Sequence, residues 1–328
     1  MNPQEYILSQ LERLKESSRL EVPPSEEGMV DFIYSAVTSK KFRKFSLPEI
    51  NKRTIRAEIQ ARVDANEPIT FHFPFGGYKL WRLEESPEPD WGELFSIIYY
   101  VRWLKPICDV YKPGVRFAFR FDEVVVKKLN NILESETEQY RKTFEHVLAF
   151  VKQFAPKNFE FEIFLERSRY DSYEAFQKEL QVEIDVLRAQ REKERFTLSD
   201  EARAMIDLNV RLEPGQADNP NWREENDLVH MAYYALQNNK KHPRKHYEAV
   251  DIVAFPSMFG TKNIVAIGTT KTSMAKFWVG VGALKKKDNS YIETVLSPSQ
   301  LKKADFVWVS VHLDGLEGKN FNKVRVLN

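Results

Sequence analysis

Val115-Arg-Phe-Ala-Phe-Arg-Phe121 is the clearest β-strand in this chain of 328 residues. Its odd positions are apolar and rich in phenylalanine, and Arg116 and Arg120 alternate with them. This two-residue period is typical of a strand whose two faces meet different surroundings. The alternation predicts that both arginines are solvated or pair with acidic side chains of a covering helix.

Two similar segments flank this strand at comparable distances along the chain. Ile69-Thr-Phe-His-Phe-Pro-Phe75 precedes it, and Phe159-Glu-Phe-Glu-Ile-Phe-Leu165 follows it. A long amphipathic pattern from Asp90 separates the first two segments, and a second helical pattern over 136–154 separates the last two. Strands that alternate with helices form parallel sheets, so we expect these three strands to be parallel and adjacent. The fold class is α/β, with a Rossmann-like, mostly parallel sheet.

The rest of the chain divides around this unit. Residues 1–66 have helical periodicity and are predicted to form a helical N-terminal extension, with a helix start at Ser46-Leu-Pro-Glu49. Residues 67–328 form the Rossmann-like catalytic or binding domain, interrupted by a helical insertion at about 171–238. Later strands are predicted at Val250–Phe255, Asn263–Thr269, Phe277–Leu284, Tyr291–Leu296 and Phe306–His312.

Composition excludes several classes of protein. Lys and Arg (49) nearly balance Asp and Glu (48), for a net charge of +1, so a nucleic-acid partner is unlikely without a local basic patch. The single cysteine, Cys108, cannot form an intramolecular disulfide and is expected to be a buried, inert thiol. The sequence has no apolar run of membrane-spanning length and no signal-peptide pattern, which favours a soluble, cytoplasmic protein.

Candidate ligand-binding residues follow the predicted strands. In an open parallel sheet, ligands bind at the carboxyl ends of the strands, which brings Gly76-Gly77-Tyr78-Lys79, Asp122 and Glu166 to one crevice. The two glycines allow a ligand close to the backbone, and Lys79 supplies a cation for a phosphate or carboxylate. Taken alone, the glycine pair is equally consistent with a simple turn, and Asp122 with a helix cap.

The histidines indicate no metal site. His242 and His246 have the spacing of helical metal ligands, but the flanking Lys and Arg residues disfavour a bound cation and no third ligand is in view. The cluster at 240–246 is better explained as a solvated basic loop, with an anion site as the other possibility. His72, on the first strand, is expected to be a core residue.

Five short elements, in order, resemble the isocyanide synthases of the pyoverdine/dityrosine biosynthesis family. They cover roughly residues 66–296, and no one of them is specific alone. The elements are the Pro68–Phe75 strand followed by Lys79; Pro89-Asp90 with Glu93; Tyr111-x-Pro113-Gly114 followed by a strand and Asp122; Phe255-Pro256-Ser257 with Gly260 and Lys262; and Phe277-Trp278-Val279-Gly280-Val281 with Asp288 and Ser290.

This resemblance implies an enzyme that uses neither a metal nor a nicotinamide cofactor. Its substrates would be an amino acid, usually aromatic, and ribulose 5-phosphate, joined through the amine and the sugar carbonyl. The resemblance implies catalytic roles for Lys79 and Asp122. It implies substrate-binding roles for Gly76, Gly77, Arg116, Ser257, Lys262 and Trp278.

The chain also departs from the family pattern. Phe255 stands where the family turn has a histidine, no histidine follows Trp278, and Glu123 replaces a glycine after Asp122. A proton-transfer step that depends on either histidine would be lost or moved to another residue. Two alternatives therefore stay open: a non-catalytic or differently reacting binder of an amino acid or phosphorylated metabolite, and a nucleic-acid or protein interaction module that uses helix 47–66 and the 240–246 cluster.

Overall fold

The structure is a computed structural model that describes most of the chain. The described residues are 1–17, 25, 28–42, 46–47, 49–75, 88–121, 126–194, 200, 203, 207, 210–216, 218–237, 250–253, 264–266, 274, 277 and 279–328. The described helices are α1 (Pro3–Glu12), α2 (Met29–Val37), α3 (Glu49–Ala65), α4 (Trp91–Val110), α5 (Val126–Asn130), α6 (Glu134–Lys152), α7 (Tyr173–Glu194), α8 (Pro220–Gln237) and α9 (Pro298–Leu301).

Five strands form a parallel sheet: β1 (Ile69–Phe75), β2 (Val115–Phe121), β3 (Phe159–Leu165), β4 (Val250–Val253) and β5 (Ile264–Ala266). Their spatial order is β3-β2-β1-β4-β5, and every neighbouring pair is parallel. This is the strand order of a Rossmann sheet: β2 and β3 are added on one side of β1, and β4 and β5 are added on the other. The predicted Rossmann-like α/β fold and the parallel alignment of the first three strands are confirmed.

A second sheet was not predicted. It contains β6 (Val281–Lys287), β7 (Ser290–Leu296), β8 (Phe306–Ser310) and β9 (Lys323–Leu327), in the order β7-β6-β9-β8. Strands β6 and β7 form an antiparallel hairpin, and β9 pairs parallel to β6 and antiparallel to β8. The strand predicted at Phe277–Leu284 begins only at Val281, since Phe277 lies in a turn.

Helix α4 lies between the two sheets. Its sequence predicts one apolar face, yet 15 of its 20 residues are buried, among them Glu93, Ser96 and Lys105. The helix contacts β2 and β3 on one side and β6 and β7 on the other. A helix with a protein layer on both sides is buried around most of its circumference.

The N-terminal helices share the core of the parallel sheet. Ile7 of α1, Ile33 of α2 and Ile59 of α3 are fully buried in the same apolar cluster as Phe71 and Phe119. Helix α3 contacts β1 and β5, and α2 packs between α3 and α4.

The predicted helical insertion is confirmed and has an apolar core of its own. Helices α7 and α8 pack together through Phe176, Leu180 and Tyr233, with Leu129 and Tyr170 beside them. Among the described residues, no helix is both long and apolar enough to cross a bilayer.

Candidate functional site

Three strands of the parallel sheet end in register at one edge. Phe75, Phe121 and Leu165 are aligned across β1, β2 and β3. Because β1 also pairs with β4, the chain reversal that forms the ligand crevice of Rossmann sheets lies between β1 and β4. The sequence continues from β1 into Gly76, Gly77 and Lys79.

Most of the predicted site residues lie outside the described part of the chain. These are Gly76, Gly77, Lys79, Asp122, Ser257, Lys262 and Trp278, together with His242, His246 and the remaining residues of the 240–246 cluster. Their roles stay predictions. The backbone at Glu166 is described, and it begins a short 3-10 turn directly after β3.

Arg116 is the one predicted site residue whose side chain is described. It is the second residue of β2, aligned with Glu160 on β3, and its Nε lies 3.4 Å from a Glu160 carboxylate oxygen. Both side chains are about half exposed. This position is near the amino end of β2, five residues before the strand ends at Phe121, so Arg116 does not lie beside the segments that follow β1 and β2. The acidic partner comes from a neighbouring strand, whereas the sequence suggested a covering helix.

The amino end of α4 is capped by two carboxylates, those of Asp90 and Glu93. Asp90 accepts a hydrogen bond from the Gly92 amide at 2.7 Å, and Glu93 accepts one from the Asp90 amide at 2.9 Å. This reciprocal pair is a capping box, and it provides negative charge at the positive end of the helix dipole. Rossmann proteins bind phosphate at the corresponding helix start, but here two buried carboxylates already occupy that position.

The same carboxylates join α4 to its neighbours. Asp90 lies 3.6 Å from the Arg325 guanidinium of β9, and both oxygens of Asp90 are 3.3 Å from the Gly282 amide of β6. Glu93 accepts a hydrogen bond of 2.6 Å from the hydroxyl of Tyr140, which is fully buried. The element Pro89-Asp90-x-x-Glu93 thus connects α4, α6 and the second sheet.

Burial and the negative charge of Glu93 both raise the pKa of Tyr140 well above its ordinary value. The hydroxyl therefore stays protonated and donates to Glu93 throughout the physiological range. Tyr140 also stacks on Phe121, with ring centroids 6.2 Å apart. Since Phe121 is the last residue of β2, the buried network reaches the residue that directly precedes Asp122.

Aromatic rings continue from this point along the sheet. Phe144 stacks on Tyr140 at 6.3 Å and on Phe277 at 6.2 Å, and Phe277 stacks on Phe73 of β1 at 5.6 Å. All four rings are at most 1% exposed. Phe277, the residue before Trp278, is therefore packed on the aromatic face of β1 and α6.

The element Tyr111-x-Pro113-Gly114 has a structural role. The Tyr111 hydroxyl lies 2.8 Å from the Glu67 carbonyl and 3.1 Å from the Arg62 carbonyl, and its single hydrogen is shared between them, which joins the ends of α3 and α4. Gly114 has φ +74°, and a Cβ there would lie 1.9 Å from the Asn158 carbonyl oxygen. Only glycine fits this turn, which lies just before β2 at the amino edge of the sheet.

A cavity of about 540 Å³ opens beside the carboxyl end of β3. Phe164 and Leu165 of β3, and Arg167, Ser168 and Asp171 after it, are among its lining residues. Its volume is in the range of small-molecule sites. Neighbouring strands are about 4.8 Å apart, so the cavity lies roughly 10 Å from the end of β1 on the same edge.

Cys108 and His72 lie in the environments that their sequence context predicted. Cys108 is buried, and burial, followed by the charge of Asp109, raises the pKa of its thiol to about 12, so it is not a nucleophile at neutral pH. His72 is 3% exposed, which confirms a core position. The described residues contain no cluster of three or more metal-ligating side chains.

Sequence reasoning missed Tyr140 and Arg325 as parts of this region. Tyr140 lies in an ordinary amphipathic helix pattern, and Arg325 lies in a strand that was not predicted. The only signal was the unusual presence of Asp90 and Glu93 at the start of a strongly apolar helix, because buried carboxylates require buried donors.

No family model matches this sequence, and no curated protein matches it. A solved structure, that of the PvcA protein from Pseudomonas aeruginosa, is similar to it with a TM-score of 0.55 and 14% sequence identity. The match covers 100% of both chains, so it includes the N-terminal helices and the second sheet as well as the parallel sheet. At this identity the likeness is one of fold, and the chain has the fold of PvcA over its whole length.

Proposed function

We propose that this protein is an enzyme of the isocyanide-synthase type, acting on an amino acid and ribulose 5-phosphate. The full-length match to PvcA, a pyoverdine-related isocyanide synthase, carries this proposal. It is independent of the sequence elements, which gave the same family from residues 66–296 alone. Because the structural match and the sequence elements agree, we prefer this reaction over others that a Rossmann-like fold supports.

The substrate site of the proposal is the carboxyl edge of the sheet between β1 and β4. Lys79 follows β1, and Ser257 and Lys262 lie in the segment between β4 and β5. Two lysines suit the phosphate of the sugar and the carboxylate of the amino acid, since charge-assisted hydrogen bonds are the strong ones. The start of α4 is closed by Asp90 and Glu93, so in this proposal the anions are held by loop lysines rather than by the helix.

The reaction begins with attack of the substrate amine on the sugar carbonyl. Water leaves and an imine forms, which requires an acid–base group close to the nitrogen. Asp122, the residue after Phe121, is proposed for this role. Both carbon–carbon bonds of the imine carbon then break, which leaves this carbon on the nitrogen as the isocyanide. The other sugar carbons leave as a one-carbon and a three-carbon fragment; one leaves as an aldehyde and the other takes up a proton, so no external oxidant is needed.

The test is mass spectrometry of the protein incubated with tyrosine, tryptophan or phenylalanine and uniformly ¹³C-labelled ribulose 5-phosphate. The proposal expects an amino-acid product that has gained one labelled carbon and lost two hydrogens. The Lys79→Ala variant should form much less of it. A matched Lys112→Ala variant should form as much product as the wild type, because Lys112 is an exposed lysine in the turn before β2, at the amino edge of the sheet.

A second candidate is a binder of the same ligands without isocyanide formation. Phe255 and the absence of a histidine after Trp278 favour it, because neither position can transfer a proton as a histidine would. Binding of both ligands without a labelled product would establish this candidate. Absence of both binding and product would reject both candidates.

A further inference from the structure

A groove unrelated to the carboxyl edge of the sheet runs between α1, α2 and the second half of α4. It has a cavity of about 520 Å³, within the range of sites that hold a small molecule. Trp103, which lines it, comes ten residues after Glu93 on α4. At 1.5 Å per residue, the groove is about 15 Å along the helix from the carboxylates at its start.

The apolar part of the groove is aromatic and held in place. The rings of Phe42 and Trp103 are stacked, with centroids 5.8 Å apart and an interplanar angle of 24°. The Trp103 indole donates to the Ala36 carbonyl at 3.0 Å, and the Tyr99 hydroxyl donates to the Phe42 carbonyl. Phe32 of α2 lines the same groove. These contacts present a preformed surface for a flat apolar group.

The charged part of the groove is predominantly basic. Arg102 and Lys105 pair with carboxylates that do not line the groove, Glu293 at 3.2 Å and Asp109 at 3.1 Å. Arg13 and Lys41 are exposed on the rim, and within the described ranges neither forms an ion pair.

The only described carboxylate that lines the groove is Glu16. Lys41 also lies over the Phe42 ring, 5.3 Å from its centroid, which places a cation directly beside the aromatic surface. Among the described side chains of the rim, two cations without an ion pair therefore accompany one carboxylate, and this excess of positive charge attracts anions.

We propose that this groove binds a small planar aromatic anion. The ring would lie against Phe32 and Phe42, and its carboxylate, sulfonate or phosphate group would meet Arg13 and Lys41. The size of the cavity favours a small molecule over a peptide or protein, which is recognised through a far larger surface.

Naphthalene-2-sulfonate is a suitable probe, titrated calorimetrically into the full chain, with 2-naphthol as the uncharged analogue. The wild type should bind one naphthalene-2-sulfonate and should bind 2-naphthol much more weakly. The double variant Arg13→Gln/Lys41→Gln should bind the sulfonate about tenfold more weakly. Ser35→Trp, which places a bulky side chain at an exposed lining position, should abolish binding.

The control Lys15→Gln/Lys40→Gln removes the same charge from exposed positions nearby that do not line the groove, and it should bind as the wild type does. Circular dichroism of each variant checks that it is folded. Equal weakening by the control and the rim variant would overturn the proposal. So would wild-type affinity in a folded Ser35→Trp variant, or no stoichiometric binding by the wild type at millimolar probe.

Discussion

Asp90 and Arg325 form an ion pair that is removed from solvent, with 3.6 Å between their charged groups and only 2% and 3% of their side chains exposed. The centroid of the Trp308 ring lies 4.3 Å from the Arg325 guanidinium. Because 235 positions separate the two residues, this pair joins the start of α4 to the last strand of the chain. It is a buried polar link between the second sheet and α4, the helix that lies between the two sheets.

Loss of this arginine should strongly destabilise the fold. Arg325→Met leaves a buried carboxylate without its cation, and we expect the free energy of unfolding to fall by about 3–5 kcal/mol. Arg56→Met is the matched control, because Arg56 and its partner Asp31 are 49% and 69% exposed, and it should cost less than about 1 kcal/mol. Urea denaturation measures both. Equal losses would contradict the role assigned to the Asp90–Arg325 pair.

Gly282 should tolerate no side chain, because α4 lies directly against it. A Cβ at this position would be 2.3 Å from the Gly92 nitrogen and 2.3 Å from the Trp91 carbonyl carbon. Because these are backbone atoms, a methyl group at position 282 would push α4 away from β6. Gly282→Ala should therefore lower the free energy of unfolding by about 1–3 kcal/mol. At Gly28 the nearest atom would be the Ser25 hydroxyl at 3.3 Å, and thermal unfolding of Gly28→Ala should be close to that of the wild type.

The Tyr140 hydroxyl should stabilise the protein because it donates to a buried carboxylate. Tyr140→Phe keeps the ring but leaves Glu93 without this donor, and a loss of about 1–3 kcal/mol is expected. Tyr100→Phe is an informative control, since Tyr100 is also fully buried but its hydroxyl has no hydrogen-bond partner among the described residues. That change should be neutral or stabilising. A larger loss of stability in Tyr100→Phe than in Tyr140→Phe would contradict the role assigned to the hydrogen bond between Tyr140 and Glu93.

Acid should weaken the insertion formed by α7 and α8. His230 is buried, its Nδ1 lies 2.9 Å from the Asn226 carbonyl, and burial lowers its pKa from the ordinary 6.5. The unfolded chain therefore binds a proton at a higher pH than the folded chain. The contribution of His230 to stability is complete above about pH 6.5 and is lost as the pH falls toward the lowered pKa.

The measurement is thermal unfolding at pH 8 and pH 6. The melting temperature of His230→Gln should fall less between pH 8 and pH 6 than that of the wild type. A His230→Gln variant with the full wild-type drop would show that another group is responsible.

Local patterns were sufficient for the first three strands of the parallel sheet, but they did not place β4 and β5 beside β1. The alternation in Val115–Phe121 identifies a strand, and the apolar pattern after Asp90 identifies a helix. Because connections between parallel strands are right-handed, few arrangements of these elements are possible. The second sheet could not be predicted in the same way. Its strand β9 (Lys323–Leu327) pairs with β6, about 40 residues earlier, and no local signal specifies such a pairing.

The candidate site could be predicted only in part. The end of β1 at Phe75 was predicted from its sequence pattern, and the role of Lys79, which follows it along the chain, stays a prediction. The ion pair of Arg116 with Glu160 depends on the register between β2 and β3, which the sequence does not state. Tyr140 reaches Glu93 through packing of α6 on α4, so its part in the network appears only in three dimensions.

Calorimetric titration of ribulose 5-phosphate and of tyrosine into the wild type, Lys79→Ala and Lys112→Ala tests the proposed ligand site most directly. If the crevice after β1 holds an anion, Lys79→Ala should weaken binding of at least one ligand by about ten- to a hundredfold, since each charge-assisted bond is worth roughly 1.5–3 kcal/mol. Its thermal stability should barely change, and Lys112→Ala should bind both ligands as the wild type does. Equal affinities of wild type and Lys79→Ala for both ligands would remove Lys79 from the site and contradict the account.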